Sequence, residues 1–563
     1  MSDLMEIAIR RGFFWQSFEI YGGIAGFIDY APLGNNLRRK IENIWRKYFV
    51  IEERAVEIDC PNIGIEEVFI ASGHVSSFND VAIECENCGR IFRADHYIKE
   101  KLDIEVDPSI EAVKEAVEYY QMKCECGGKF KDPTPISLMF KTTIGPGKGK
   151  VGYLRPETAQ GMFINFTRLL HYFREKLPFG VAQIGRAYRN EISPRQGVIR
   201  LREFNQAELE YFVDPKFKRH EKFEDVAEDV VSLVDKFDVL HRIKLREAVE
   251  RGIVAHELLA YFIGRTRRFL LDIGIKDEKL RFRQHKDDER AHYAADCWDA
   301  EVLTSFGWIE IVGIADRTDY DLKRHSELSG EDLSVFIPYP EPIKIKKKKV
   351  VAKMEKIGPT FKQKAKKIAE KLENVEPKDF VEVEVDGEKI KLTSEFFDVV
   401  EIEEELTGER IVPHVIEPSF GLDRISYAVL EHAFDKDIVD GEERKVLRLK
   451  RSVTPIEVAV LPLLSREPFT TKSLEIYSFL KTEGFYVEYD DSGSIGRRYR
   501  RYDEIGTPFC ITVDHQTFED DTVTIRDRDT TKQVRVSCKK LAEILRILLS
   551  TNKDIEEFGP RFR

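Results

Sequence analysis

The chain has 563 residues, more than one hydrophobic core accommodates, so roughly two to four domains are expected. A composition of 42% hydrophobic and 34% charged residues gives foldable material with a dense charged surface, and a net charge of −12 excludes a uniformly cationic molecule. A nucleic-acid partner must therefore meet local basic patches. The opening MSDLMEIAIRRGFFWQ is charged early and no run of ~20 apolar residues follows, which argues against a secretory leader or a membrane span and for a soluble, cytoplasmic protein.

In chain order, Pro32 precedes a stripe of Leu37, Ile41, Ile44, Trp45 and Tyr48 at helical spacing, with Gly34 loosening the turn. A short strand is expected over Ala55–Asp59. Cys85, Cys88, Cys124 and Cys126 form a module, while Cys60, Cys297, Cys510 and Cys538 are scattered; this is not a secreted disulfide framework. IGPGKGK (144–150) lacks the Gly-x4-Gly-Lys-Ser/Thr spacing of a phosphate-binding loop and reads as a surface loop. AQGMFINFTRLLHYFREK reads as a helix. Residues 215–295 read as helical and charged (EDVAEDVVSLVDKF, AHELLAYFIGRTRRFLLDIG), and so as an insertion before the strand WIEIVGIADR. Residues 344–371 hold twelve lysines against two glutamates. Strands follow in FVEVEVDGEKIKL, with an Asp-Gly turn, and HVIEPSFGLDRISYAVLEHAF runs from strand into helix. Beyond residue 451 strands and helices alternate, from TPIEVAVLPLL to KKLAEILRILLS, as in an α/β unit of about 110 residues.

The stretch GRAYRNEISPRQGVIRLREFNQAELEYF reads as a hairpin, with strands over 182–191 and 200–212 and Pro194 and Gly197 in the loop. Side chains alternate along a strand, so Arg189 and Glu191 are expected on one face, and Arg202, Phe204, Gln206, Glu208 and Glu210 on one face of the second strand. That face is too polar for a core. Guanidinium forks match phosphate oxygens, Phe204 offers a flat surface for a base, and carboxylates take an ammonium, so ATP plus an amino acid fits the set. A solvent-facing hairpin with cross-strand ion pairs is the alternative. In EPSFGLDR, Gly421 permits close backbone approach and Arg424 opens a helix where it can clamp a base or a phosphate.

These segments resemble the motifs of class II aminoacyl-tRNA synthetases. The hairpin is similar to motif 2, GLDR to motif 3, and YAPLGNNLRRKIENIWRKYF with its following strand to motif 1, which forms the dimer interface in that class. RPETAQG (155–161), RADH (93–96), GIADRTDYDL (313–322) and EPSFG resemble glycyl-tRNA synthetases of the archaeal and eukaryotic homodimeric type. SIGRRYRRYDEIGTPF resembles that family's anticodon-binding domain. The resemblance implies an α+β catalytic domain with a mixed, mostly antiparallel sheet, plus a C-terminal α/β anticodon-binding domain. It assigns 1–84, 127–214, 296–340 and 400–450 to the catalytic domain. Residues 85–126 become an inserted cysteine module, 215–295 a helical insertion, 341–399 a lysine-rich insertion and 451–563 the anticodon-binding domain.

The implied partners are ATP with Mg²⁺, glycine, tRNA(Gly) and a second copy of the chain. Arg189, Glu310 and Arg424 carry the catalytic roles. The nucleotide falls to Arg189, Asn190, Glu191, Ile199, Arg200, Leu201, Arg202, Glu203, Phe204, Glu310, Ile311, Gly421, Leu422, Asp423 and Arg424. Arg202 and Arg200 are expected at the outer phosphates, and Glu310 at Mg²⁺. Glycine falls to Arg93, Glu157, Phe204, Asn205, Gln206, Ala207, Glu208, Arg317, Glu417, Pro418, Ser419, Phe420 and Gly421. Arg93 and Arg317 are expected to face its carboxylate or close the pocket. Three of these residues have a plain structural alternative: Glu157 as a helix cap, Arg317 paired with Asp316 or Asp319, and Ser419 as a turn residue.

Cys85-x2-Cys88-Gly and Cys124-x-Cys126-Gly resemble zinc knuckles, and a structural Zn²⁺ on the four thiolates stands beside a metal-free module of reduced thiols. The lysine run is either a solvated face or a phosphate contact. GRRYRRYDE, with arginines among aromatics, suits single-stranded bases. Synthetases for proline, threonine or histidine are the nearest competing readings. A non-catalytic relative, such as the synthetase-like accessory subunit of mitochondrial DNA polymerase, would have lost the ligand-binding groups that Arg189, Glu157 and Arg424 retain.

Overall fold

Pro32 lacks an N–H that a first helical turn leaves unpaired anyway, and it opens the helix Pro32–Arg46. Leu33, Leu37, Ile41 and Trp45 are buried along it. Gly34 is needed there, because a Cβ would stand 2.0 Å from the carbonyl oxygen of Phe13. Trp45 stacks on Phe49 at 5.5 Å between centroids, and Phe49 meets Phe420 at 4.7 Å. Phe269 closes on Phe420 at 5.5 Å. This aromatic knot joins the helix to the main sheet.

The computed structural model describes residues 3–192, 194, 197–287, 289, 294–372, 375, 380–439 and 441–562. Its main sheet has strands β1 (Val56–Glu57), β2 (Phe179–Tyr188), β3 (Glu203–Val213), β4 (Val230–Val234), β5 (Leu240–Lys244), β6 (Leu280–Gln284), β7 (Asp296–Thr304), β8 (Gly307–Thr318) and β9 (His414–Gly421). In space they run β5-β4-β6-β7-β8-β9-β3-β2-β1. Only β1 with β2 and β4 with β6 are parallel. The register of the central strands sets the site: Gly313 and Glu208 both pair with Ser419, and Ala315 pairs with Glu417.

Residues 215–295 are not a helical insertion. β4, β5 and β6 extend the main sheet, and the helix Glu257–Asp272 is buried in the same core as Pro32–Arg46. EDVAEDVVSLVDKF splits into a short helix, Phe223–Val226, and β4. Asp235 explains the split. Its carboxylate accepts the N–H groups of Phe237 (2.9 Å) and Val239 (3.0 Å), a turn that folds β4 onto β5. A short apolar run such as Val230–Val234 fits helix and buried strand equally by spacing alone. AQGMFINFTRLLHYFREK likewise divides, into Gln160–Ile164 and Phe166–Tyr172, at Asn165.

The cysteine module is wider than 85–126. It has a sheet of Asn79–Glu84, Ile91–Arg93 and Thr134–Ser137 and helices Ala94–Leu102 and Ile110–Tyr119. Ile83, Phe92, Ile98 and Val113 form its own core. Segment 144–150 connects strands Lys141–Ile144 and Lys150–Leu154. At the C-terminal end a five-stranded sheet (Val458–Pro462, Val487–Tyr489, Phe509–Val513, Thr522–Asp527, Gln533–Ser537) packs with helices Phe469–Thr482, Ile495–Ile505 and Leu541–Ser550 as an α/β unit. Among the described residues no helix is long and apolar enough to cross a membrane.

Residues Ser334–Val412 form a compact unit of their own, wider than the expected 341–399. A long ribbon of Val335–Ala352 and Phe397–Ile411 carries a small core around Val350, Ile357, Ile368 and Val383. The lysine run is half of a charge ladder, with Lys344 opposite Glu405, Lys346 opposite Glu403 and Lys348 opposite Glu401. Five of the run's twelve lysines lie on the ribbon, and among them Lys344 meets Glu405 at 3.6 Å and Lys347 meets Glu404 at 3.5 Å. Such exposed pairs add little stability.

A different ion network is buried. Arg444 and Asp503 both have side chains 0% exposed and meet at 3.1 Å. Arg526 grips the same carboxylate at 2.8 and 3.0 Å. Asp503→Ala removes the carboxylate these two guanidinium groups share, and is expected to cost about 3–5 kcal/mol. Lys344→Ala is expected to cost less than about 1 kcal/mol. Calorimetric unfolding of the two variants checks the contrast.

Candidate functional site

β2 and β3 pair from Phe179↔Phe212 to Tyr188↔Glu203, so the strands are shorter toward the loop than expected. Arg189 and Glu191 lie just beyond β2, and Arg202 lies just before β3. The shared face holds for Phe204, Gln206, Glu208 and Glu210 and not for Arg202. One further bond, Arg189 N–H to the Arg202 carbonyl at 2.9 Å, keeps the ends together before the loop departs. Arg189 then turns inward. Its Nε donates to the Pro156 carbonyl at 3.2 Å, and its guanidinium lies 5.3 Å from the Phe204 ring and 5.4 Å from Phe78. Arg424, opening the helix Leu422–Ala433, donates to the carbonyls of Ile199 and Glu310 at 2.9 Å each and meets the Glu310 carboxylate at 3.2 Å.

These groups line a cavity of about 240 Å³. Arg189, Glu191, Ile199, Arg200, Leu201, Phe204, Glu310, Ile311, Gly421 and Arg424 give it a cationic and flat-faced portion. Asn205, Gln206 and Asp423 also line it, with Asp423 accepting the Asn205 N–H at 2.7 Å and the Tyr30 hydroxyl at 2.5 Å. Burial in the cleft works against ionisation of Glu310, but Arg424 and Arg189 outweigh it and hold the carboxyl below its usual range.

Another part of the lining is acidic: Glu157, Glu208 and Glu417, with Ser419. Ser419 Oγ donates to Glu208 at 2.6 Å, and the Thr158 N–H donates to the other Glu208 oxygen at 2.8 Å. Gln160 Nε2 donates to Glu157 (2.9 Å) and Asp321 (3.0 Å), and its Oε1 accepts from His325 Nε2 at 2.8 Å. His74 lies 3.4 Å from Glu157. Arg317 joins the cluster from beneath, at 2.6 Å from Glu417, 2.9 Å from Asp321 and 3.5 Å from Glu157. Burial pushes Glu417 up to about 8 against the pull of Arg317, with Glu208 and Glu157 adding to the rise. Burial and then Glu157 raise Glu208. Glu157 resists its burial through His74 and Arg317 and sits well below the usual carboxylate range.

Several expected site residues stand elsewhere. Arg317, with its side chain 1% exposed, lies behind the glutamates instead of facing the cavity, and its partners are Asp321, Glu417 and Glu157, not Asp316 or Asp319. Arg93 pairs with Asp95 and Asp80 and lines a neighbouring cavity of about 530 Å³ with His96, Lys99, Arg200, Glu310 and Arg424. Arg202 directs its guanidinium to the carbonyls of Glu191 and Ala25, which takes it away from the cavity. Glu203 pairs with Arg186 across the hairpin. Asn190 meets the Leu138 carbonyl through its backbone N–H at 2.8 Å. Ala207, Pro418, Phe420 and Leu422 are buried away from the cavity lining. Ala207 and Phe420 face the opposite side of the sheet from Glu208 and Ser419, as alternation requires. Glu157 caps no helix.

The cavity also has lining that the sequence reading missed: His285, Cys297 and Asp299, from β7 and the end of β6. His285 meets Asp299 at 2.8 Å, and burial followed by Glu310 pushes Asp299 up to about 6. The alternation Cys297, Asp299, Glu301 on one strand face was the available signal. In the cysteine module the four sulfur atoms all lie within 4.8 Å of one another, with Cys85–Cys126 at 3.4 Å and Cys88–Cys124 at 3.7 Å. Tetrahedral thiolates at zinc–sulfur distances of about 2.3 Å stand some 3.8 Å apart, so the donor set fits that ion.

Residues 148–433 match the tRNA synthetase class II core domain (G, H, P, S and T), and residues 457–548 match an anticodon binding domain. The glycine–tRNA ligase of Archaeoglobus fulgidus is 76% identical over 100% of this chain and 99% of its own length. Those of Methanothrix thermoacetophila (54%, covering 99% of this chain and 98% of that one) and Pyrococcus furiosus (50%, covering 98% of each) are also similar. A prolyl-tRNA synthetase from Cryptosporidium parvum, solved with L-proline and AMP, shares the fold at a TM-score of 0.50 and 11% identity, over 97% of this chain and 77% of that one. With a class II core and an anticodon-binding domain in one chain, aligned along its whole length to these relatives, the protein belongs to the glycine–tRNA ligase family of class II aminoacyl-tRNA synthetases.

Proposed function

We propose that the cavity joins glycine to ATP as glycyl-adenylate and passes the glycyl group to the terminal ribose of tRNA(Gly), with the buried carboxylates as the ammonium site. The observation that carries this reading is the acidic lining of Glu157, Glu208 and Glu417 beside a cationic, flat-faced lining in the same cavity. Glycine offers no side chain to grip, so recognition falls on its ammonium. Glu157, Glu208 and Ser419 take it, supported by Glu417. Exclusion of larger amino acids is steric, since an added methyl in a crowded pocket costs about 1–3 kcal/mol.

The glycine carboxylate attacks the α-phosphorus, the bond to the bridging oxygen breaks, and pyrophosphate leaves with the electron pair. No protein nucleophile is needed, and the residues orient the reactants and stabilise charge. Arg189 holds the α-phosphate oxygens as they gain charge. Phe204 packs on one face of adenine and Arg424 on the other, with Arg200 toward the outer phosphates. The Glu310 carboxylate, at the cavity lining, suits Mg²⁺, a hard cation that takes oxygen ligands. When bound with ATP, that ion neutralises the triphosphate beside these acids. The four module cysteines hold a structural Zn²⁺. The basic helix Ile495–Ile505 belongs to the surface that meets the anticodon, and two copies of the chain pair in the cytoplasm through the motif 1 region, where Ile51 is exposed, as are Phe18, Ile20 and Tyr21 just ahead of that region.

ATP–pyrophosphate exchange tests the reading directly. Exchange is expected with glycine, and exchange with proline, threonine or histidine in its place would reject the assignment. Arg189→Ala is expected to slow glycine-dependent exchange about a hundredfold, or ~3 kcal/mol.

Glu417 gives a pH dependence. The ammonium favours an ionised Glu417, and the empty site holds this group up to about 8. Below that pH glycine must expel a proton to bind, so its KM is expected to rise as pH falls from 8 to 6, approaching tenfold per unit. A KM that is flat or falls over that range, measured in steady-state exchange, contradicts the protonation state assigned here. For the cysteine module, elemental analysis is expected to find one zinc per chain, and Cys88→Ser to lose it with a lower melting temperature. Full metal-free stability would leave the thiols reduced and unliganded.

A further inference from the structure

Glu210 lies on β3, two residues past Glu208 and on the same face. It is 0% exposed, and neither carboxyl oxygen has a hydrogen-bond partner among the described residues. It does not line the cavity; it stands one layer behind it. On β2 its paired neighbour is Val181, which offers no charge. On β9 the position opposite lies between the registered pairs Glu208↔Ser419 and Tyr211↔Ile416, beside Glu417. The charged groups that face it are Glu417 from β9, Arg317 from β8, Glu208 from its own strand and Asp321 from the helix Tyr320–Ser329. Three of these four are acids, and the one cation already meets Asp321, Glu417 and Glu157.

A buried carboxylate with no donor and acidic neighbours is strongly disfavoured, and the group resolves this by keeping its proton. With glycine's ammonium placed against Glu157, Glu208 and Glu417 as above, on which this rests, we propose that Glu210 is a positioning residue that acts as a neutral carboxylic acid, its O–H supporting the ionised Glu417 once the ammonium binds. The direction of its titration agrees: burial, then Glu417, lifts Glu210 well above the usual carboxylate range. The layer behind the ammonium site is thereby polar without adding an anion. Glutamate at this position supplies a hydrogen-bond donor, which leucine of similar size lacks and glutamine retains.

The test compares Glu210→Gln with Glu210→Leu in glycine-dependent ATP–pyrophosphate exchange across pH. Glu210→Gln is expected to keep the glycine KM within about twofold and the midpoint of its pH dependence unmoved. Glu210→Leu is expected to raise the glycine KM about tenfold, leave the ATP KM unchanged and move the midpoint to higher pH, because ionised Glu417 has lost a donor. A tenfold glycine KM increase or an acid-shifted midpoint in Glu210→Gln would show that the native group is an anion and overturn the proposal. Wild-type behaviour of Glu210→Leu would remove its positioning role. If Glu210→Leu does not fold, the midpoint of Glu210→Gln decides. Ser419→Ala separates the two levels: a glycine KM that it leaves unmoved places the failure with the glycine site itself and not with Glu210.

Discussion

The guanidinium of Arg317 meets Asp321, Glu417 and Glu157 within 3.5 Å, with its side chain almost entirely out of water. A cation at that depth requires partners, and anions at that depth require a cation. The arrangement leaves more carboxyl groups than it can neutralise. Glu157 is held ionised by Arg317 and His74, while Glu417 and Glu208 rise toward the protonated state. In the proposed function, that surplus is what draws the ammonium. A charge-balanced cluster would be more stable and would bind nothing.

The sheet makes such a cluster affordable in geometry. β8, β9 and β3 are adjacent and antiparallel, so Ala315, Glu417, Glu208 and Ser419 fall at fixed spacings with their backbone donors and acceptors already satisfied. The opposite face of β9 inserts Phe420 into the aromatic knot with Trp45, Phe49 and Phe269. One strand therefore anchors the core through one residue and presents the site through the next. Two guanidinium groups that line the cavity differ in support. Arg189, just past a strand end, is held by one bond to a carbonyl, whereas Arg424, at a helix start, is held by two carbonyls and the Glu310 carboxylate.

Much of this was legible because it depends on local pattern. The Arg-x-Glu and Phe-bearing segments, with Pro194 and Gly197 between them, announce a hairpin, and alternation correctly grouped Phe204, Gln206, Glu208 and Glu210. GLDR announced a strand end running into a helix. Pairing across the chain was not legible. Arg317 could be suspected of an ion pair, but Asp321 lies one helical turn on, while the nearer Asp316 takes Lys218 and His256 as its partners. Arg202 looked free for phosphate because nothing in its neighbourhood reveals that Ala25 presents a carbonyl to it. β4 hid in a helical periodicity until Asp235 supplied the turn. Asp299 and Cys297 were missed because the first strand after 215–295 was placed at WIEIVGIADR, one strand beyond Asp296–Thr304. Burial without a partner, the property that distinguishes Glu210 from its neighbours, has no sequence signature at all.

The central claim is that glycine's ammonium sits among Glu157, Glu208 and Ser419, with Arg189 on the α-phosphate. A crystal structure with a non-hydrolysable glycyl-adenylate analogue measures it most directly. The account predicts the amino nitrogen about 3 Å from carboxylate oxygens of Glu157 and Glu208 and from Ser419 Oγ, with Phe204 flat against the adenine. An amino nitrogen facing solvent, or an adenine placed against the glutamates instead, would contradict it.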